Sequence, residues 1–133
     1  MAERIELEVA TPERAVASEQ VTDVQVPAAN GYLGILPGHA PLVSLLGAGS
    51  LSYVVAGERR FLAVQGGVVE VLPGQVRVLA NIAERAQDID LGKARADLER
   101  AERELQAASA ADPTAALEAL ALARARVAAA EGK

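Results

Sequence analysis

The period of the hydrophobic pattern changes once along this chain, near Asp88, and that change limits what it can fold into. Upstream, apolar and polar residues alternate in short runs: IELEV at 5–9, VTDVQV at 21–26, SLSYVV at 50–55, RRFLAV at 59–64, GVVEVL at 67–72 and QVRVLA at 75–80. A period of two puts one face of an extended strand in a core and the other in water. Turn formers separate the runs, among them Pro27, Asn30-Gly31, Pro37-Gly38, Gly47, Gly49, Ala56-Gly57, Gly66-Gly67 and Pro73-Gly74. Short consecutive strands with no helix between them pair antiparallel, and this many favour a small sandwich or flattened barrel, which leaves few edges open.

Downstream the period is helical. Leu91, Ala94, Leu98, Ala101, Leu105 and Ala108 recur at steps of three and four and form one stripe. Arg95 with Glu99, Glu99 with Arg103, and Arg100 with Glu104 stand four apart on the exposed faces, where such pairs support a helix slightly. Asp88 or Asp90 can cap its start. Ser109 to Asp112 breaks the pattern, and Asp112-Pro113 restarts it, with an acid at the cap and proline at the first helical position. The second helix runs from about Pro113 to Ala130 with the stripe Ala116, Leu120, Ala123, Val127 and Ala130. The expected fold is α+β: an N-terminal antiparallel β-sandwich over 1–87, then a C-terminal antiparallel two-helix hairpin over 88–133.

The alanines in that hairpin bear on what it does. A buried methylene stabilises by roughly 0.8 kcal/mol, so an alanine seam holds less firmly than a leucine seam. Alanine is also the strongest helix former, so each helix is better supported than the contact between them. Two roles fit: a static stabilising hairpin, or a pair of helices able to leave one surface for another.

Composition excludes several function classes. A formal net charge of −5 argues against binding a phosphate backbone, so no nucleic-acid partner is expected. The chain has no cysteine, hence no disulfide framework and no thiolate nucleophile, as suits a reducing compartment. No run approaches the roughly 18 apolar residues of a membrane span. MAERIELEV at the start alternates and is acidic, unlike a targeting peptide, so a cytoplasmic protein is expected. The aromatics are Tyr32, Tyr53 and Phe61, which makes the expected core aliphatic.

The stretch NGYLGILPGHAPLVSLLGAG at 30–49 holds the single histidine, His39. The surrounding PGHAP supplies no carboxylate or serine and the chain has no second histidine, so no catalytic residue is expected there and no metal site. Gly66-Gly67 lies between strands rather than before a helix, which argues against a phosphate cradle. What the stretch offers is apolar material held by Pro and Gly turns, namely Tyr32, Leu33, Ile35, Leu36, Leu42 and Val43; it serves either as a cap on the sandwich or as an interface.

NGYLGILPGHAPLVSLLGAGSL, then QGGVVEVLPGQVRVLANIAERAQDID, then two alanine-rich helices resemble, in order and over the whole chain, the epsilon subunit of bacterial and chloroplast F-type ATP synthases. The resemblance implies a noncatalytic subunit of the rotating central stalk, bound to the gamma subunit and the c-ring, helping to couple proton flow to ATP synthesis. It places Tyr32, Leu33, Ile35, Leu36, His39, Leu42 and Val43 at the gamma and c-ring interface. It implies that the hairpin is a regulator, compact when hydrolysis is permitted and extended toward the alpha and beta subunits when it inhibits. Arg124, Arg126 and Lys133 are then expected to meet acidic beta-subunit surface. The membrane is reached only through the complex, on the cytoplasmic face of the cell membrane.

Some members bind ATP through a motif of Ile or Leu, Asp, two variable residues, Arg and Ala. Here the stretch is Ile89, Asp90, Leu91, Gly92, Lys93 and Ala94, with lysine in the arginine position, and Leu122 stands where a further arginine is expected. Lysine is a point charge without the planar fork that grips phosphate in two places. No cofactor is expected, and ATP is expected only as a weak regulatory ligand of Asp90, Lys93 and Arg126. Gly92, weak in a helix, is the expected hinge.

Overall fold

The structure is a computed structural model and describes residues 3–108 and 112–133. The first two residues, and positions 109–111 of the expected helix break at 109–112, lie outside the described residues. Eight strands come first: β1 (Ile5–Ala10), β2 (Ala15–Val21), β3 (Val24–Ala28), β4 (Gly31–Ile35), β5 (Leu42–Leu45), β6 (Ala48–Val55), β7 (Glu58–Leu72) and β8 (Gln75–Arg85). A 3-10 turn over Ala86–Asp88 then leads to α1 (Leu91–Ala107) and α2 (Thr114–Ala130).

The strands run in the order β2-β1-β8-β7-β6-β3-β4, with β5 paired to β7. All neighbours are antiparallel except β1 and β8, which lie parallel with Leu7 opposite Val76 and Val9 opposite Val78. A parallel pair needs a long crossover, and the six intervening strands supply it. Alternation fills the core as expected: Leu7, Val9, Val24, Val26, Leu51, Leu62, Val64, Val69 and Val71 are all buried, and Tyr53 is the one aromatic among the buried core residues. Burial, followed by the charge of Glu19, raises the Tyr53 hydroxyl pKa above its ordinary value.

The runs at 59–64 and 67–72, expected as two strands, are one strand bent at Gly66-Gly67. Both glycines have positive φ, +70° and +119°, and a Cβ on Gly67 would sit 1.9 Å from the Leu79 carbonyl oxygen. Before the bend β7 pairs with β6, Leu62 opposite Leu51; after it β7 pairs with β5, Val71 opposite Leu42. Strand β8 follows β7 on both sides of the bend.

Asp90 caps α1 by accepting the Lys93 backbone N–H at 3.1 Å, while Asp88 pairs with Arg85 instead. Asp112 accepts the Thr114 N–H at 3.1 Å, so the expected acid serves the start of α2, with Pro113 just outside the helix rather than in its first position. Helix α2 packs on two sides. Leu120 and Ala123 meet Leu98, Ala101 and Leu105 of α1. Ala125 and Ala129 meet Ala63 of β7, flanked by Phe61 and Ile89. The sequence stripe captured the first side and missed the second. The helix–helix seam is therefore richer in leucine than expected, and alanine dominates the contact with the sheet instead. Of the expected surface pairs, Glu99–Arg103 forms at 3.2 Å and Arg100–Glu104 at 3.9 Å. Arg95 turns away from Glu99 and bonds Glu131 beyond the end of α2 at 2.8 Å.

Candidate functional site

Alternation on β4 and β5 splits the residues expected at an interface. Tyr32, Leu36 and Val43 are 61%, 60% and 71% exposed. Leu33 and Leu42 are half-buried against the core. Ile35 corrects the expectation: it is 1% exposed, opposite Val24 in the β3–β4 ladder, because it points the same way as Leu33 and opposite to Tyr32. It cannot touch a partner in this conformation.

Three residues outside the expected set, Leu45, Val68 and Leu79, belong with Val43. Leu45 is 66% exposed and shares its face of β5. In register, Leu45 lies opposite Val68 and Val68 opposite Leu79, giving an apolar row across β5, β7 and β8. The next row is Val43, Glu70, Arg77 and Glu8, an apolar residue followed by alternating charges. The alternation of Val43 and Leu45 was the available signal, obscured by the adjacent Leu46, which is buried.

Tyr32 lies apart from these rows. Its hydroxyl accepts the Ser50 backbone N–H at 3.1 Å, and its ring borders a cleft of about 320 Å³ shared with Gly49, Ala121, Arg124 and Ala128. His39 is engaged with its own loop: its backbone N–H donates to the Leu36 carbonyl at 3.1 Å, and Nδ1 is 2.7 Å from the Ala40 carbonyl oxygen. An imidazole holding its own turn is a shaping element, and among the described residues no group of His, Asp and Glu is arranged to hold a metal ion.

Asp90, Lys93 and Arg126 do come together. They line a cleft of about 230 Å³ between the 3-10 turn, the start of α1 and α2, with Glu84, Asp88, Ile89, Ala94 and Asp97. Both cations are already paired there. Lys93 Nζ bonds Asp97 at 3.0 Å, which holds the Asp97 carboxyl below its ordinary pKa. Arg126 Nε donates to Glu84 Oε1 at 2.6 Å. Four carboxylates thus face two cations.

Arg124, Arg126 and Lys133 form no single patch in this conformation: Arg124 borders the Tyr32 cleft, Arg126 is held by Glu84, and Lys133 lies 3.5 Å from Glu131. Gly92 sits in the first turn of α1, and the nearest atom to an added Cβ there would be Asp90 Oδ1 at 3.4 Å. The chain changes direction just before it, where Arg85 and Ile89 flank the 3-10 turn with extended backbone.

A family profile described as the ATP synthase Delta/Epsilon chain beta-sandwich domain matches residues 4–86. The ATP synthase epsilon chain of Solibacter usitatus is 58% identical over 134 residues, spanning all of both chains. This chain belongs to the ATP synthase epsilon-chain family. The epsilon chain of Koribacter versatilis is 46% identical over 106 residues, 80% of this chain and 75% of its own. Among solved structures, a chain of the Euglena gracilis mitochondrial ATP synthase assembly of OSCP, F1 and c-ring matches with a TM-score of 0.79 at 24% identity, over 90% of this chain and 77% of its own. That likeness bears on fold alone, and it agrees with the sandwich and hairpin described above. An epsilon chain is a noncatalytic subunit of ATP synthase, consistent with a histidine that serves its own loop. No described helix is long and apolar enough to cross a membrane.

Proposed function

We propose that this epsilon chain is a rotor subunit of the central stalk, with residues 1–87 gripping the gamma subunit and the c-ring and residues 88–133 regulating ATP hydrolysis. Through the rotor it helps couple proton flow to ATP synthesis, on the cytoplasmic face of the membrane. The observation that carries the reading is the alanine contact of α2 with the sheet, Ala125 and Ala129 on Ala63. The three methyl groups at its centre contribute only about 2–3 kcal/mol at roughly 0.8 kcal/mol each, with Phe61 and Ile89 at the edge, a modest hold that a competing surface can overcome. The stiff sandwich supplies the anchor. Leu36, Val43, Leu45 and Leu79 are its exposed apolar residues, with Leu33, His39 and Leu42 on the same strands and loop and the exposed Tyr32 apart from them beside α2; Ile35 belongs to the core behind.

When the hairpin leaves the sheet, Arg126 is released from Glu84 and, with Arg124 and Lys133, is free to meet acidic surface on the alpha and beta subunits. ATP acts at most as a weak ligand of the compact state, since Lys93 and Arg126 are already paired. Gly92 beside the 3-10 turn serves the hinge.

The test is deletion of residues 89–133 in the assembled enzyme. Gamma should still bind, and ATP hydrolysis should rise. Hydrolysis equal to that of the intact enzyme would remove the inhibitory role.

A further inference from the structure

Glu84 lies on β8 directly opposite Ala63, the sheet residue on which Ala125 and Ala129 rest. The Arg126–Glu84 bond at 2.6 Å therefore stands beside the weakest contact of the hairpin, and both side chains are about two-thirds shielded, each 32% exposed. Among the described residues it is the only ion pair joining the hairpin to the sheet; the other polar tie is Gln65 Nε2 donating to the Glu118 carbonyl at 2.9 Å. The cleft beside it offers an anion little. Asp97 occupies the Lys93 ammonium, Glu84 occupies the Arg126 guanidinium, and Asp88 and Asp90 line the same walls. A polyphosphate entering there would have to break a charge-assisted bond and sit among carboxylates.

We propose that Glu84 and Arg126 form an internal latch that closes the hairpin on the sandwich without a nucleotide. The latch rests on the reading that the hairpin leaves the sheet, and it names what holds it there. Closure then rests on one partly shielded pair, the Gln65–Glu118 bond and a small apolar contact centred on three methyl groups, so it responds to loss of the pair and to competition for Arg126 by another carboxylate. Arg126 thus has two alternative partners, Glu84 in the compact state and an acidic partner surface in the released state.

The experiment uses the full isolated chain and follows amide hydrogen exchange of residues 114–130 against residues 58–72 of β7, which report the intact sheet. Glu84→Gln and Arg126→Gln should each speed exchange in α2 about two- to fivefold, the range for a partly exposed pair, with β7 unchanged. Exchanging the partners, Glu84→Arg with Arg126→Glu, should return most of the protection. Mg-ATP should add little to the α2 protection of the unaltered chain, as suits at most a weak ligand of the compact state. Single variants that exchange like the parent, a swap that restores nothing, or strong protection by Mg-ATP would each overturn the latch. The deletion test reads hydrolysis in the assembled enzyme and this one reads opening in the isolated chain, so the two proposals fail separately.

Discussion

Ala125→Leu tests whether α2 is held to the sheet by close alanine packing. Ala125 is buried against Ala63 and Ala129, with Phe61 and Ile89 at the sides. Leucine adds three carbon atoms where a methyl group fills the space, and overpacking of this kind costs about 1–3 kcal/mol. Set against the roughly 2–3 kcal/mol that the central methyl groups contribute, that penalty removes most of what this contact adds to docking. At about 1.4 kcal/mol per decade, protection of α2 amides against exchange should fall by roughly 5- to 150-fold. Protection over residues 58–72 should not change, because β7 and β8 do not depend on the hairpin for their pairing. Ala119→Leu is the control: Ala119 is exposed on the same helix, so the added side chain goes into water and protection should match the parent. In the assembled enzyme, a hairpin wedged off the sheet should inhibit hydrolysis more strongly. If Ala125→Leu and Ala119→Leu exchange alike in α2, the alanine contact is not what holds the helix.

Gly67→Ala should destabilise the sandwich by at least about 1–3 kcal/mol, from the positive φ of +119° together with a Cβ 1.9 Å from the Leu79 carbonyl, read as a lower denaturation midpoint. Gly57→Ala has a comparable φ of +79° but open space around it, so it should cost less; equal losses would mean the clash at Gly67 is relieved by a small shift. Gly92→Ala should stiffen the start of α1 by up to about 1 kcal/mol, since its nearest neighbour would be at ordinary contact distance; if Gly92 is the hinge, the variant should also slow release of the hairpin in the assembled enzyme. Acid should loosen the tie between the helices. The hydrogen bond from Arg95 lowers the Glu131 pKa below its ordinary 4.5, so the stabilisation is present above about that pH and is lost as pH falls through the lowered value. Side-chain NMR of Arg95 should show the bond intact at neutral pH and broken in that acid range, and a bond that persists once Glu131 is protonated would contradict the assignment.

What was legible in the sequence follows from which interactions are local. Alternation located the strand runs because each strand has one face in the core, and the apolar stripe located α1 because that helix buries one side. Alternation also carried the information that Ile35 points inward with Leu33, yet a run this dense in apolar residues masks which of them face water. The parallel pairing of β1 with β8 has no local signature, since it joins the two ends of the sandwich. Gly66-Gly67 read as a turn because positive φ serves a turn and a bend equally well. Helix α2 was half legible: a helix rich in alanine on nearly every face gives no contrast from which to find a second buried side. The motif resemblance drew attention to Asp90, Lys93 and Arg126, which do converge, but Glu84 lies 42 residues from Arg126 on a strand and only the fold brings them together.

The two sides of α2 differ in a way that bears on the order of events in release. Toward α1 it presents Leu120 and Ala123 to Leu98, Ala101 and Leu105; toward the sheet it presents Ala125 and Ala129 to Ala63. Burying one leucine side chain stabilises by about 1.5–3 kcal/mol, several times the value of a methyl group, so residue for residue the helix–helix side is the firmer, with Phe61 and Ile89 only at the edge of the sheet contact. The Arg95–Glu131 bond reinforces that side, while Arg126–Glu84 reinforces the sheet side. A hairpin built this way first parts from the sandwich as a paired unit, and its helices separate only afterwards, once a new partner replaces the leucine seam. Exchange in the isolated chain should therefore show Ala125 and Ala129 losing protection before Leu98 and Ala101. The reverse order would place the weak contact between the helices, where the alanine content of the sequence alone had put it.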